Sequence, residues 1–249
     1  MTALPEFVEP AINRPVASPA VLLAYSMNDF RYFDIETLPD QREGILEKYR
    51  KEVTPPANIK KQESIDIWMA EKAEQAAIDM LGKTSFDGGA GHVCTIGWAV
   101  NDGDVRVEHM EDVGEEADIL RAFFSDFSKY KSTTLVGHNS NRFDIPFLMK
   151  RAVILGVELP DDRAFPRDPK PWDKNTFDTM TAWAGAGKGD MISMNKLCGI
   201  LGIVGKGNFD GSQVAEAWAN GEHMTIAEYC DDDVRRTRAI HQKFLAAGF

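Results

Sequence analysis

The sequence is short of positive charge, of paired cysteines and of long apolar runs, and each shortage excludes something. Its 249 residues carry 28 lysines and arginines against 39 aspartates and glutamates, a formal net charge of −11. A broad basic face that grips nucleic acid without regard to sequence is therefore not expected. Nucleic-acid enzymes stay open, because cation-binding carboxylates add acids that the ions neutralise. Short tracks such as Lys150-Arg151, or Arg235-Arg236 with Arg238, remain to line a strand. Cysteine occurs three times, at Cys94, Cys198 and Cys230, with no Cys-x-x-Cys pair. That spacing excludes a thiolate zinc site and argues against a disulfide scaffold, leaving three small buried residues. No apolar run reaches the roughly 18 residues of a membrane span. The longest candidate near the start, 20–25, is too short for a secretory core, so a cytoplasmic protein with no membrane partner is expected. The glycine-rich stretch at 185–189 lacks the full Gly-x-x-x-x-Gly-Lys-Ser/Thr pattern of a phosphate loop. Repeats, low-complexity tracts and clear linkers are also missing, so one domain over 1–249 is expected.

What is present reads as a globular α/β chain, with 43% hydrophobic residues. Four prolines make 1–27 an irregular lead-in. Aromatic and β-branched residues from Phe30 to Thr37 predict a strand that stops at Pro39. Residues 40–89 form an insertion. Within it, apolar residues from Ile65 to Leu81 recur at spacings of three and four, which predicts an amphipathic helix. His92 to Val100 and Val105 to Val107 flank Asn101-Asp102-Gly103 and predict a hairpin. A helix from about Glu115 to Tyr130 follows, then a buried strand at Thr133 to Gly137 and a helix running to about Leu155. A short strand is expected around Thr176 to Asp178, a helix capped by Ser193 runs through Leu201, and a last helix spans about Thr225 to Ala246. Antiparallel strands followed by alternating elements imply a mixed sheet with helices on both faces.

Three acidic signals stand out. In Asp34-Ile35-Glu36, strand alternation sends both carboxylates to one face. Two such carboxylates on a buried strand are costly unless a cation offsets them, and hard oxygens suit Mg²⁺ or Mn²⁺. Asp-x-Glu is common, and taken alone an edge strand with a solvated acidic face is its more frequent origin. Asp144 sits just after a strand, where a helix N-terminus favours an acid for purely structural reasons. Asn139 and Phe143 precede it, placed to hydrogen-bond or stack on a base. In Tyr229-Cys230-Asp231-Asp232-Asp233, Tyr229 and Asp233 share a helix face, whereas Asp231 and Asp232 point to solvent or to Arg235 and Arg236. Asp178 reads as a cap rather than a further ligand. His92, His109, His223 and His241 have no ligand-like spacing, and Lys188 and Lys206 read as solvated loop lysines.

Asp-x-Glu, then Asn-x-x-x-Phe-Asp, then Tyr-x-x-x-Asp, in that order from residue 34 to 233, resemble the three motifs of the DEDD exonuclease superfamily. The tyrosine matches the DEDDy branch. The histidine branch would need a histidine at position 228, which is Glu228. The segments are similar to stand-alone 3′–5′ exonucleases related to the exonuclease domain of family B DNA polymerases. That resemblance implies a ribonuclease H-like fold and two divalent cations, Mg or Mn, held by Asp34, Glu36, Asp144 and Asp233. It makes these four and Tyr229 the catalytic set, with Tyr229 orienting the attacking water. It places Thr37, Leu38, Asn139 and Phe143 beside the terminal nucleotide. The implied substrate is the 3′ end of nucleic acid, single-stranded DNA foremost. A polymerase or another replication or repair partner would act in trans. The alternative is a non-catalytic module that holds nucleic acid or such a partner on the same fold.

Overall fold

The alternation in the first strand decides the architecture. In the computed structural model, which describes residues 29–129, 133–170, 172–185, 191–205, 207 and 209–249, strand β1 spans Asp29–Leu38. Its odd residues face one way: Arg31 pairs with Asp126, and Phe33 stacks on Phe123 with ring centroids 6.0 Å apart. Its even residues face the other way, where the Tyr32 hydroxyl meets His241 Nδ1 at 3.1 Å. The lead-in 1–27, Lys188 with most of the 185–189 loop, and Lys206 lie outside the described residues.

β1 is the middle strand of a five-stranded sheet of order β3-β2-β1-β4-β5. The other strands are β2, His92–Val100; β3, Arg106–His109; β4, Thr133–Gly137; and β5, Thr176–Asp178. β2 runs antiparallel to β1 and β3, and β1-β4 and β4-β5 are parallel. The hairpin turns where expected: Gly103 N–H donates to Val100 O at 3.0 Å, and Asn101 takes a φ of 50°. The result is a mixed ribonuclease H-like sheet flanked by helices.

Helix α1 covers Ile45–Glu52 and α2 covers Gln62–Gly82, both inside the insertion. α1 buries none of its residues fully; its apolar stripe of Ile45, Leu46 and Tyr49 is half-buried. On α2, Ala77 alone is buried, and Met69, expected on the covered face, is exposed. The two helices are tied by Arg50 to Glu74 at 2.7 Å, an exposed pair worth under about 1 kcal/mol. A 3-10 turn at Lys83–Phe86 returns the chain to the sheet.

Helix α3, Glu116–Ser125, and α4, Asp144–Leu155, pack with the odd face of β1 into the main core, which includes Phe33, Ile96, Leu120, Phe123, Ile145 and Leu148. Short helices α5, Thr179–Ala184; α6, Met194–Leu201; and α7, Val214–Ala219, lead to α8, His223–Ala246. Buried Ile226, Tyr229, Cys230, Asp233, Val234, Thr237, Ile240, His241 and Phe244 give α8 one continuous inner stripe at helical spacing. That stripe lies on the even face of β1. Gly97, paired with Asp34, allows the approach: a Cβ there would stand 3.0 Å from both Cys230 Sγ and Val234 Cγ2. No helix among the described residues is long and apolar enough to cross a membrane.

Candidate active site

The even face of β1 meets α8 where each is acidic. Ligand atoms of Asp34, Glu36 and Cys230 lie within 4.8 Å of one another. Cys230 Sγ donates to the Asp34 carbonyl at 3.5 Å, and Cys94 Sγ to the Glu36 carbonyl at 3.3 Å. Burial first, then Asp34, Glu36 and Asp233, push the Cys230 thiol well above its usual value. Cys230 therefore stays a neutral packing residue beside the acids.

One turn on, Tyr229 and Asp233 face the same carboxylates. Burial raises the Tyr229 phenol well above its ordinary value; Asp233, Glu36 and Asp34 add to the rise, and its hydroxyl hydrogen-bonds Asp233. Phe209 supports the ring edge-on, with centroids 5.1 Å apart. Arg236, nearly buried, donates to Asp233 Oδ1 at 2.9 Å and to Asp232 Oδ2 at 3.0 Å. Asp231 is taken by Arg235. The expected split of the acidic run is thus observed, with Arg236 an unexpected partner of Asp233.

Asp144 arrives from a third direction. β4 pairs with β1 as far as Tyr32, and further along β1 the Ile35 backbone N–H is directed at the Asp144 carboxyl. Asp144 opens α4 and is 3% exposed. Burial pushes its carboxyl up to about 7, with the charges of Asp178 and Asp233 adding to the effect and backbone hydrogen bonds opposing it. The loop between β4 and α4 is held by Asp178, whose carboxylate accepts from the N–H groups of Asn139, Asn141, Met180 and Thr181 at 3.0–3.1 Å. Asp178 is a cap, as expected. Asn139 adopts the left-handed conformation at φ 65°, and a Cβ at Gly137 would stand 2.4 Å from Ser140 Cβ, so the turn needs a glycine there. His138 pins the same loop, its Nε2 donating to Ile192 O at 2.9 Å and its Nδ1 meeting the Thr179 hydroxyl at 2.8 Å.

Two expectations need correction. Leu38 was expected beside the terminal nucleotide, yet its side chain is 0% exposed and belongs to the core. The cause is an irregularity between Glu36 and Thr37 that breaks the alternation. Beyond it Thr37 is half-buried and donates to Ser85 O at 2.8 Å. The suggested basic tracks are also not free. Arg151 is buried against Glu116, and Lys150 pairs with Asp87 at 2.5 Å. Arg235 and Arg236 hold acids of their own helix, and Arg238 donates to the carbonyls of Asn101 and Gly103. Asn139 and Phe143 are half-buried on the loop before Asp144.

The donor set suits a divalent cation. Hard oxygens from β1, α4 and α8 converge in a buried space where Asp144, Tyr229 and Cys230 all feel neighbouring negative charge.

Sheet order and flanking helices define an α/β domain of the ribonuclease H-like fold class. Within that class, the chain belongs to the family of predicted 3′–5′ exonucleases related to the exonuclease domain of PolB, whose model matches residues 90–247. That match takes in Asp144, Tyr229 and Asp233 and begins after β1. Over 168 residues the chain is 26% identical to DNA polymerase 2 of Aeropyrum pernix, covering 63% of this chain and 21% of that one. Its fold is similar to the family B DNA polymerase from Pyrobaculum calidifontis, with a TM-score of 0.54, 18% identity, and coverage of 88% of this chain and 24% of that chain. The chain therefore spans about a fifth to a quarter of the length of these relatives. Exonucleases of this family generally use divalent metals.

Proposed function

We propose that this protein is a 3′–5′ exonuclease acting on single-stranded DNA, with two divalent cations, Mg²⁺ or Mn²⁺, held by Asp34, Glu36, Asp144 and Asp233. The observation that carries this reading is the convergence of carboxylates from β1, α4 and α8 around Tyr229, in a space where their charges act on one another. Cations bound there supply positive charge to offset the phosphate and make a water acidic enough to attack near neutral pH.

The chain's own residues do the rest. Ile35 N–H and the Asp178-capped loop hold Asp144 in place. Arg236 fixes one oxygen of Asp233. Tyr229, kept protonated by burial and donating to Asp233, orients the water by accepting from it through its hydroxyl oxygen, and is not the base. Water oxygen replaces the 3′ oxygen of the penultimate nucleotide at phosphorus, releasing a nucleoside 5′-monophosphate. Asn139, Phe143 and Thr37 flank the terminal nucleotide. A polymerase or repair enzyme that generates the 3′ end would act in trans.

Digestion of a 5′-labelled single strand with Mg²⁺ or Mn²⁺ tests this, beside a matching RNA and an Asp34→Ala variant. The expected result is a ladder shortening from the 3′ end of the DNA that disappears in the variant. Intact label with both polymers and both metals would overturn it in favour of a binding module.

A further inference from the structure

Phe86 stands at the end of the 3-10 turn that closes the insertion, and it is 74% exposed. A single exposed ring needs no explanation by itself, but here the backbone beneath it is held on several sides and against residues next to the site acids. Ser85 O accepts from Thr37, the residue after Glu36. Thr84 Oγ1 accepts from Asp40 N–H at 2.8 Å. A Cβ at Gly91 would stand 2.5 Å from Thr84 O, and one at Gly88 would stand 2.7 Å from Phe147 O, so the turn is pressed between the end of β1 and the start of α4. The Phe86 ring leans on Phe143, the residue before Asp144, with centroids 6.4 Å apart and planes at 57°. At that tilt the pair does not sandwich a third ring. Phe143 instead supports Phe86, which remains open to solvent.

We propose that Phe86 is a stacking platform for one of the last two bases of the 3′ strand, and that delivering it is what the insertion contributes to the site. This rests on the exonuclease reading. The ring lies beside residues that flank two of the carboxylates, and an aromatic face accepts any unpaired base. Bases inside a duplex have both faces covered by their neighbours. The platform therefore selects single-stranded or frayed ends by stacking alone.

The test uses the full chain with Phe86→Ala and Phe86→Trp. Substrates are single-stranded oligonucleotides with an abasic nucleotide at the last position, at the one before it, or at neither, and a blunt duplex. Phe86→Ala should raise KM for the base-bearing strand by about tenfold with kcat within about twofold. Phe86→Trp should restore it, and an abasic nucleotide at one of the two positions should remove the difference. The preference for single strand over duplex should shrink by about the same factor. An unchanged KM, or an equal rise on every abasic strand, would overturn the proposal. If the unmodified protein cuts nothing, the exonuclease reading fails by itself. Anisotropy of the labelled strands then still decides Phe86: a Kd about tenfold weaker for Phe86→Ala, abolished by the abasic nucleotide, supports it, and equal affinity sinks it. Thermal melting of Phe86→Ala should match the unmodified protein, since the ring is mostly in water.

Discussion

The two faces of β1 both bury charge, and they handle it in opposite ways. On the α3 and α4 side each acid is matched. Arg31 meets Asp126 at 2.6 Å, and Glu116 takes Arg151 through two bonds of 2.6 and 2.7 Å, with His92 at 2.8 Å. Burial alone would raise the Glu116 carboxyl, but the hydrogen bonds from His92, Arg151 and Val93 hold it below its usual value. On the α8 side burial raises as well, and there neighbouring carboxylates reinforce it for Asp144, Tyr229 and Cys230. On the first face cations of the fold offset the acids; on the other like charges gather, although Arg236 holds one oxygen of Asp233. Buried pairs of the first kind are architecture; a gathering of like charges is the mark of a site.

The sharpest way to break this comparison is to neutralise one acid on each face. Asp144→Asn should cut turnover by about three orders of magnitude or more, because the carboxylates act as a unit. In chelator its melting temperature should equal or exceed that of the unmodified protein, since the amide takes one negative charge out of a crowded, buried space. A clear drop in that temperature would show Asp144 to be structural. Glu116→Ala should do the reverse, costing roughly 3–5 kcal/mol by stranding the Arg151 charge. Denaturant unfolding measures it, and a loss below about 1 kcal/mol would erase the contrast.

A smaller effect comes from His241, which has its pKa lowered from 6.5 to about 4 by burial. The unfolded chain takes up the proton first as pH falls, so stability present above pH 6.5 is lost progressively towards pH 4. The loss amounts to roughly 3 kcal/mol at most. His241→Gln should flatten that slope in urea titrations between the two values, and an unchanged slope would reject the assignment. Last, saturating Mn²⁺ should stabilise the unmodified protein by about 2.7 kcal/mol at a hundred times its Kd. The same addition should leave Asp34→Asn unmoved. Equal stabilisation of both would place the ion elsewhere.

Much of this was legible before any coordinates. β4, β5 and the hairpin declare themselves through composition and an Asn-Asp-Gly turn. Asp34 with Glu36, and Tyr229 with Asp233, follow from periods of two and four. What could not be read depends on chain paths. The irregularity after Glu36 has no compositional sign, so Leu38 was assigned to the wrong environment. Arg151 finds Glu116 across 35 residues, and Thr37 finds Ser85 across 48. The insertion separates β1, the centre of the sheet, from the residues 90–247 that the family model matches.

Gly97 turns that architecture into a matter of tolerance. The hydrogen it carries in place of a side chain leaves no slack between sheet and helix, since a methyl group would already touch Cys230 and Val234. Because α8 is a single rigid rod, a shim inserted there would lift Tyr229 and Asp233 together and leave Asp34 and Glu36 behind. The gap across the site is thus gauged by an atom that takes no part in the chemistry.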